Sequence, residues 1–292
     1  MSGTNSQISN NVITNANGHA PQTGIDLEPD VNEIDVVDNI MVNNNIIKDN
    51  AGSGVQIVIT KLASGTYVAN TRNINIVGND ISGATCTALL LTNLNSDTSM
   101  GAAFSNYNIR GNTVHDCLIA VNIHAVSCVI DGNAFKNLDQ FTQLNIIRCD
   151  TCYQDDIFII NNVFDQCRGT QSIIDVQDAV LNFIGNVVMY PAAASTIKFN
   201  YLAVIMRNTF TSYIRPYQLN VIEYTGNSGS FTISDNVIYL RNSQSPLVFI
   251  NSTLTSAPTG AACVSNNNAQ GQTFSTIANT YGGNNFFNGT SV

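Results

Sequence analysis

The densest chemistry in the chain lies in one short acidic stretch, Gly24-Ile25-Asp26-Leu27-Glu28-Pro29-Asp30. Alternate residues of an extended strand point to opposite faces. Ile25 and Leu27 are thus expected inside, and Asp26 and Glu28 together outside. Two residues along a strand separate side-chain origins by about 6.5–7 Å. Flexible carboxylates at that separation reach both spacings of paired-carboxylate glycoside hydrolysis, about 5–5.5 Å for retaining and about 6.5–9.5 Å for inverting chemistry. Like charges that close also raise one pKa, leaving an acid beside a base. Asp26 and Glu28 are therefore the candidate catalytic residues, and Asp30, beyond the proline, is held in reserve. The competing reading is plainer: surface carboxylates mostly solvate an exposed face.

Such a strand needs a scaffold, and a repeated phrase supplies one. An apolar residue, two small or polar residues, an asparagine, any residue and an apolar residue recur at Ile8–Ile13, Ile76–Ile81, Ile109–Val114, Ile130–Phe135, Ile159–Phe164, Phe183–Val188, Ile205–Phe210 and Ile233–Ile238. Weaker copies stand at Val42–Ile47 and Val264–Ala269. The recurring asparagines are Asn11, Asn45, Asn79, Asn112, Asn133, Asn162, Asn186, Asn208, Asn236 and Asn267. By subtraction their spacings are 34, 34, 33, 21, 29, 24, 22, 28 and 31. Periods in this range mark a solenoid. Short runs of β-branched residues and Phe, with only 11% charged residues, oppose a helical repeat. The expected fold is all-β, a single-stranded right-handed parallel β-helix of about ten coils, with the asparagines stacked at one corner. Asn suits such a corner because it tolerates left-handed backbone angles, bonds local backbone and can form ladders between coils. Residues 1–270 form the solenoid in this reading, and 271–292 a carboxyl-terminal cap or subunit contact.

A second strand follows each corner, and aligning these strands by their apolar residues extends the candidate site. Gln56, Ala120 and Asn145 fall in the outward column of Asp26, with a two-residue slip allowed where loops vary. Gln56, one coil on, is placed to position a sugar. Asn122, His124 and Arg148 are further candidate sugar contacts, Arg148 as a partner for a uronic acid. The first three repeat intervals are long, so extra loop residues gather around the coil bearing Asp26, where sites tend to be built. His115 and His124 have no specific partner in sequence and read more readily as surface or corner residues than as bases. Tyr213, Tyr217 and Tyr224 surround Arg215-Pro216, where aromatic rings stack on sugars or pack a subunit interface.

Composition removes several classes. A net charge of −9 with scattered Lys and Arg opposes nucleic acid and anionic membranes as partners. No apolar run approaches the roughly 18 residues of a membrane span, and the polar start Met1–Gln7 lacks a signal-peptide core. Seven cysteines cannot all pair within the chain. Cys86, Cys117, Cys128 and Cys263 lie next to core-like positions and read as structural thiols. Cys149-Asp150-Thr151-Cys152 lacks the second pair or histidines a zinc site needs, so neither metal nor cofactor is expected. The chain enters its first coil within a few residues. This reads as a piece of a longer protein, or as an end covered by another chain. Val58, Leu90 and Ile174 read as outward apolar positions needing cover from other copies.

The asparagine-cornered coils together with Gly24–Asp30 resemble the right-handed parallel β-helix proteins related to pectate lyases and mannuronan C5-epimerases, including the β-helix bodies of phage tailspike depolymerases. The epimerase motif orders Asp, Pro, His and Glu, whereas this chain reads Asp26-Leu27-Glu28-Pro29 without the histidine. The tailspike resemblance implies a homotrimer of parallel rods, in a virion tail or outside the cell, that binds and cleaves bacterial surface polysaccharide as a glycoside hydrolase. The wider family implies a polysaccharide lyase or epimerase as the alternative, and a non-catalytic adhesin rod as a third.

Overall fold

The computed structural model describes residues 3–28, 37–59, 71–93, 106–124, 128–138, 145–150, 156–213, 220–226, 230–241, 248–252, 262–270, 280–283, 286–287 and 290–291. They form three long sheets that run side by side. Sheet A holds 11 strands, from Gly3–Ser9 to Thr280–Gly283; sheet B holds 12, from Val12–Thr14 to Thr290–Ser291; sheet C holds 9, from Ile25–Leu27 to Val248–Ser252. The chain visits A, B and C in turn, as in Tyr107–Arg110, Thr113–His115 and Ile119–His124. It then lays Cys128–Asp131 in parallel on Tyr107–Arg110. Every strand pair is parallel except the last, Phe286–Phe287 with Thr290–Ser291. This is a single-stranded parallel β-helix, with the right-handed sense that parallel crossovers take.

All ten recurring asparagines join one ladder between sheets A and B. In its middle, Asn133 Oδ1 accepts from the backbone N of Asn112 at 2.9 Å and from Asn112 Nδ2 at 3.0 Å. Asn133 Nδ2 then donates to Asn162 Oδ1 at 3.0 Å and to the Ile109 carbonyl at 2.9 Å. The pattern repeats from Asn11 at one end to Asn267 at the other. From Asn45 onward the side chains are buried, and burial demands this complete pairing. The weaker copies Asn45 and Asn267 belong fully to the ladder.

The reason for asparagine differs from the sequence expectation. The left-handed position is the residue before each ladder asparagine: Asn10, Asn44, Gly78, Gly111, Gly132, Asn161, Gly185, Arg207, Asp235 and Asn266 have φ between 54° and 69°. The ladder residue itself turns inward. It is required because an amide carries an acceptor and two donors, which together serve the coils on both sides. The local bond also runs backward, to the carbonyl two residues earlier, as from Asn162 Nδ2 to Ile160 at 2.9 Å.

A second corner, from sheet B to sheet C, repeats the left-handed turn at Asn15, Asp49, Gly83, Asp116, Asn137, Gln166 and Tyr190. At Cys117 and Cys167 the buried thiols copy the asparagine geometry with a weaker donor. Cys117 Sγ faces the His115 carbonyl at 3.2 Å and the Ile81 carbonyl of the preceding coil at 3.9 Å.

Inward columns of Ile, Val, Leu and Phe fill the interior. In the middle coils large and small residues trade places between sheets A and B. Ile159 faces in from sheet A where sheet B supplies Phe164; the next coil reverses this with Phe183 and Val188; the one after returns to Ile205 and Phe210. The rings thereby form a run through the core, Phe135–Phe164–Phe183–Phe210, with centroids 5.0, 6.2 and 6.4 Å apart. Swapping large and small residues between sheets suits the close packing that a protein interior requires.

Candidate functional site

Strand pairing on sheet C determines which side chains can work together. Ile25, Val55, Leu89, Val121, Ile147, Ile174, Ile197 and Ile222 stack in one inward column. The residue after each forms the next register column, which reads Asp26, Gln56, Leu90, Asn122, Arg148, Asp175, Lys198 and Glu223 and continues to Asn251. Four of the sequence candidates, Asp26, Gln56, Asn122 and Arg148, thus share one column. With strands about 4.8 Å apart, Gln56 is one step from Asp26, Asn122 three steps or about 14 Å, and Arg148 four steps or about 19 Å. No single sugar spans that distance, whereas an extended chain lying along the axis does.

Two members of the sequence alignment change place. Ala120 is fully buried, and Asn145 pairs with Ser172, three residues before Arg148 in the column of Asp26. Both strands carry a longer run before their outward residue, as in Leu118-Ile119-Ala120-Val121. Matching the first apolar residue therefore starts two or three positions early. Ile174 likewise faces inward and is fully buried, so it offers no apolar surface, while Leu90 is outward and half-buried.

At the first coil, Ile25 and Leu27 are buried and Asp26 and Glu28 are partly exposed on either side of Leu27, as alternation requires. Burial pushes the Asp26 carboxyl up from its ordinary value. Thr23 Oγ1 donates to Gln56 Oε1 at 3.4 Å, tying the approach loop to the next coil beside Asp26. Gly24 is needed because the coils pass closely: a Cβ there would stand 2.8 Å from the Gly54 carbonyl and 2.7 Å from Ile47 Cγ2. Asp30 lies outside the described residues. His124 pairs in register with Asp150, two residues beyond the pair Asn122 and Arg148.

Asp175, Lys198 and Glu223 extend the column but were not among the sequence candidates. Asp175 is buried and accepts from Gln177 Nε2, while Glu223 accepts from the hydroxyl of buried Ser195. The signal was present: Ile174-Asp175-Val176, Ile197-Lys198-Phe199 and Ile222-Glu223-Tyr224 repeat the apolar–charged–apolar form of Ile25-Asp26-Leu27. Alternating signs in consecutive coils make a charge-balanced, hydrogen-bonding strip.

Other candidates resolve differently. His115 Nδ1 lies 2.6 Å from Asp116 Oδ2 and Nε2 lies 3.2 Å from Asp80 Oδ1, with Asn137 Nδ2 donating to the same Asp116. Both ring nitrogens are engaged, which suits a corner clamp between coils rather than a base. Tyr224 is a core residue, 5.2 Å by ring centroids from Phe199 and 5.1 Å from Phe231. Tyr213 lies at the end of the sheet B strand Thr209–Tyr213, and Tyr217 lies outside the described residues. Cys117, Cys128, Cys149 and Cys167 are buried, but Cys86 and Cys263 are exposed, Cys263 because it occupies an outward position between Ala262 and Val264. Among the described residues no group of three or more His, Cys, Asp and Glu is placed to hold a metal ion, and no helix is long and apolar enough to cross a membrane. Comparison with protein-family models, with curated proteins and with solved structures finds no match to this chain.

Proposed function

We propose that the protein is a glycan-processing β-helix of the tailspike kind, which lays a bacterial surface polysaccharide along sheet C and cleaves it at the first coils. The observation that carries this reading is the register that aligns Asp26, Gln56, Asn122 and Arg148 in one column of sheet C. In this mechanism Asp26, whose carboxyl burial pushes up from its ordinary value, is the acid that donates a proton to the glycosidic oxygen. Glu28, across Leu27, serves as base or nucleophile, and Gln56 orients the sugar from the next coil. Polar residues farther along hold the rest of the chain.

The test replaces Asp26→Asn and Glu28→Gln and follows reducing ends released from a panel of capsular polysaccharides. Loss of about 10²–10⁴ in rate in each variant is expected for an acid–base pair, and undiminished cleavage in both would remove the pair from the mechanism. An unsaturated uronate product, seen by its ultraviolet absorbance, would replace hydrolysis by elimination. A second reading, binding without cleavage, is favoured by the length of the strip. Lys198 and Glu223 stand six and seven coils from Asp26, or about 29 and 34 Å, farther than one cleavage site needs. Retained glycan binding with no product in the wild-type protein would select it.

A further inference from the structure

We propose that Asn17 modifies itself: its carboxamide closes onto the backbone nitrogen of Gly18, and water opens the ring to leave a carboxylate in the loop that leads to Asp26. Asparagine before glycine suits this reaction, because no side chain hinders approach to the glycine nitrogen. Here the pair stands in the open. Asn17 and Gly18 are exposed, and a Cβ built on Gly18 would meet nothing within 4 Å. Gln22 Nε2 donates to the Gly18 carbonyl, but among the described residues no hydrogen bond holds the Asn17 carboxamide or the Gly18 N–H. The ladder asparagines are locked at those same atoms. Their carboxamides are paired, and the nitrogen after each one from Asn45 onward donates to the asparagine carbonyl of the preceding coil at 2.8–2.9 Å, as Ala134 N does to Asn112. Asn15 is followed by Ala16, whose N donates to Asn50 Oδ1 at 3.0 Å. In the related pair Asp131-Gly132 the glycine nitrogen is tied to the Ile160 carbonyl at 3.1 Å. A second Asn-Gly pair, Asn288-Gly289, lies outside the described residues.

The step needs only water. The Gly18 nitrogen gives up its proton and bonds Asn17 Cγ; the Cγ–Nδ2 bond breaks, and ammonia leaves with the proton. Water then opens the cyclic imide at either carbonyl. One opening gives aspartate. The other gives isoaspartate, whose main chain runs through Cβ and Cγ and is one carbon longer. Either product adds a negative charge to a chain already at −9. The loop is fixed on both sides of the change. Ala51 N donates to the Ala16 carbonyl at 3.0 Å, Gly52 N donates to the Gln22 carbonyl at 2.9 Å, and Thr23 Oγ1 reaches Gln56. The extra carbon is therefore taken up between Ala16 and Gln22, in the approach to the strand Ile25–Leu27. None of this depends on whether sheet C cleaves a glycan or binds one.

The test incubates the full-length protein for days at mildly alkaline pH, beside a sample unfolded in urea. Peptide mapping by mass spectrometry locates the exchange of an amide for a carboxyl, and enzymatic methylation detects isoaspartate. Folded and unfolded protein should convert Asn17 at similar rates, while Asn112, Asn133 and Asn162 stay unmodified in the folded protein. Gly18→Val adds its side chain to open space, so the urea midpoint should hold. Its branched side chain crowds the attacking nitrogen, so conversion should slow several-fold. An Asn17 that stays intact in the folded protein while the unfolded chain converts would overturn the proposal, as would ladder asparagines that convert as fast as Asn17. If Gly18→Val fails to fold, the comparison of folded with unfolded wild-type protein decides alone.

Discussion

Truncating one rung of the asparagine ladder tests whether the ladder holds the coils together. Asn133→Ala removes five hydrogen bonds: two accepted from Asn112 and three donated, to Ile109, Asp131 and Asn162. Some partners keep a second contact. Asn112 Nδ2 still reaches the Ile76 carbonyl, and Asn162 Oδ1 still accepts the Asn133 backbone N. The Asn112 backbone N–H loses its side-chain acceptor and the Ile109 carbonyl loses its amide donor. At about 1–3 kcal/mol for each of these two buried groups, the expected cost is about 2–6 kcal/mol. That is a large share of the roughly 5–15 kcal/mol that holds an ordinary domain together. Asn11→Ala is the internal control, since Asn11 is exposed and its own amide donates to Ser9 and Asn45; about 1 kcal/mol is expected there. Urea unfolding gives both values, and native-state amide exchange at Asn112 should lose protection only in Asn133→Ala. Equal costs for the two variants would refute the claim that interior rungs carry the stability.

Three further outcomes follow from the same structure. Gly226→Ala would set a Cβ 1.6 Å from the Asn200 carbonyl oxygen, whereas Gly111→Ala, at φ of 60°, meets nothing within 4 Å. Urea unfolding should therefore show a loss above about 3 kcal/mol for the first, beyond ordinary overpacking, and about 1–2 kcal/mol for the second. Burial pushes the Cys117 thiol up to about 11 and the Cys167 thiol higher still, so neither should alkylate at neutral pH in the folded protein, while both label in urea. The hydrogen bond from His115 holds the Asp116 carboxyl below its ordinary value. Its contribution is present above the unfolded value of about 3.9 and is lost as pH falls through the lower folded value. Asp116→Asn should flatten that acid limb of the denaturation midpoint. The change should be small and salt-sensitive, because the carboxyl is largely exposed.

The sequence by itself determined the solenoid, its corner and the inward side of most strands. Those features rest on local rules: a period near thirty residues, alternation along a strand, and an amide that must be paired once buried. All ten ladder asparagines were legible in this way, and so were the buried flanks Ile25 and Leu27 with Asp26 and Glu28 on the outer side. The left-handed residue was misplaced by one because asparagine fits both roles, and only coordinates separate Gly132 at φ of 65° from the inward Asn133 beside it. What only the tertiary structure decided is register. Coils differ in loop length, and alternation is indifferent to shifts of two, so the choice between Ala120 and Asn122 as the neighbour of Leu90 depended on Val121 and Ile123 stacking over Leu89 and Leu91. The same stacking carried Asp175, Lys198 and Glu223 into line with Asp26. Residues up to about two hundred positions apart, such as Asp26 and Glu223, fall into one column only when the core columns close, and no local pattern records that closure.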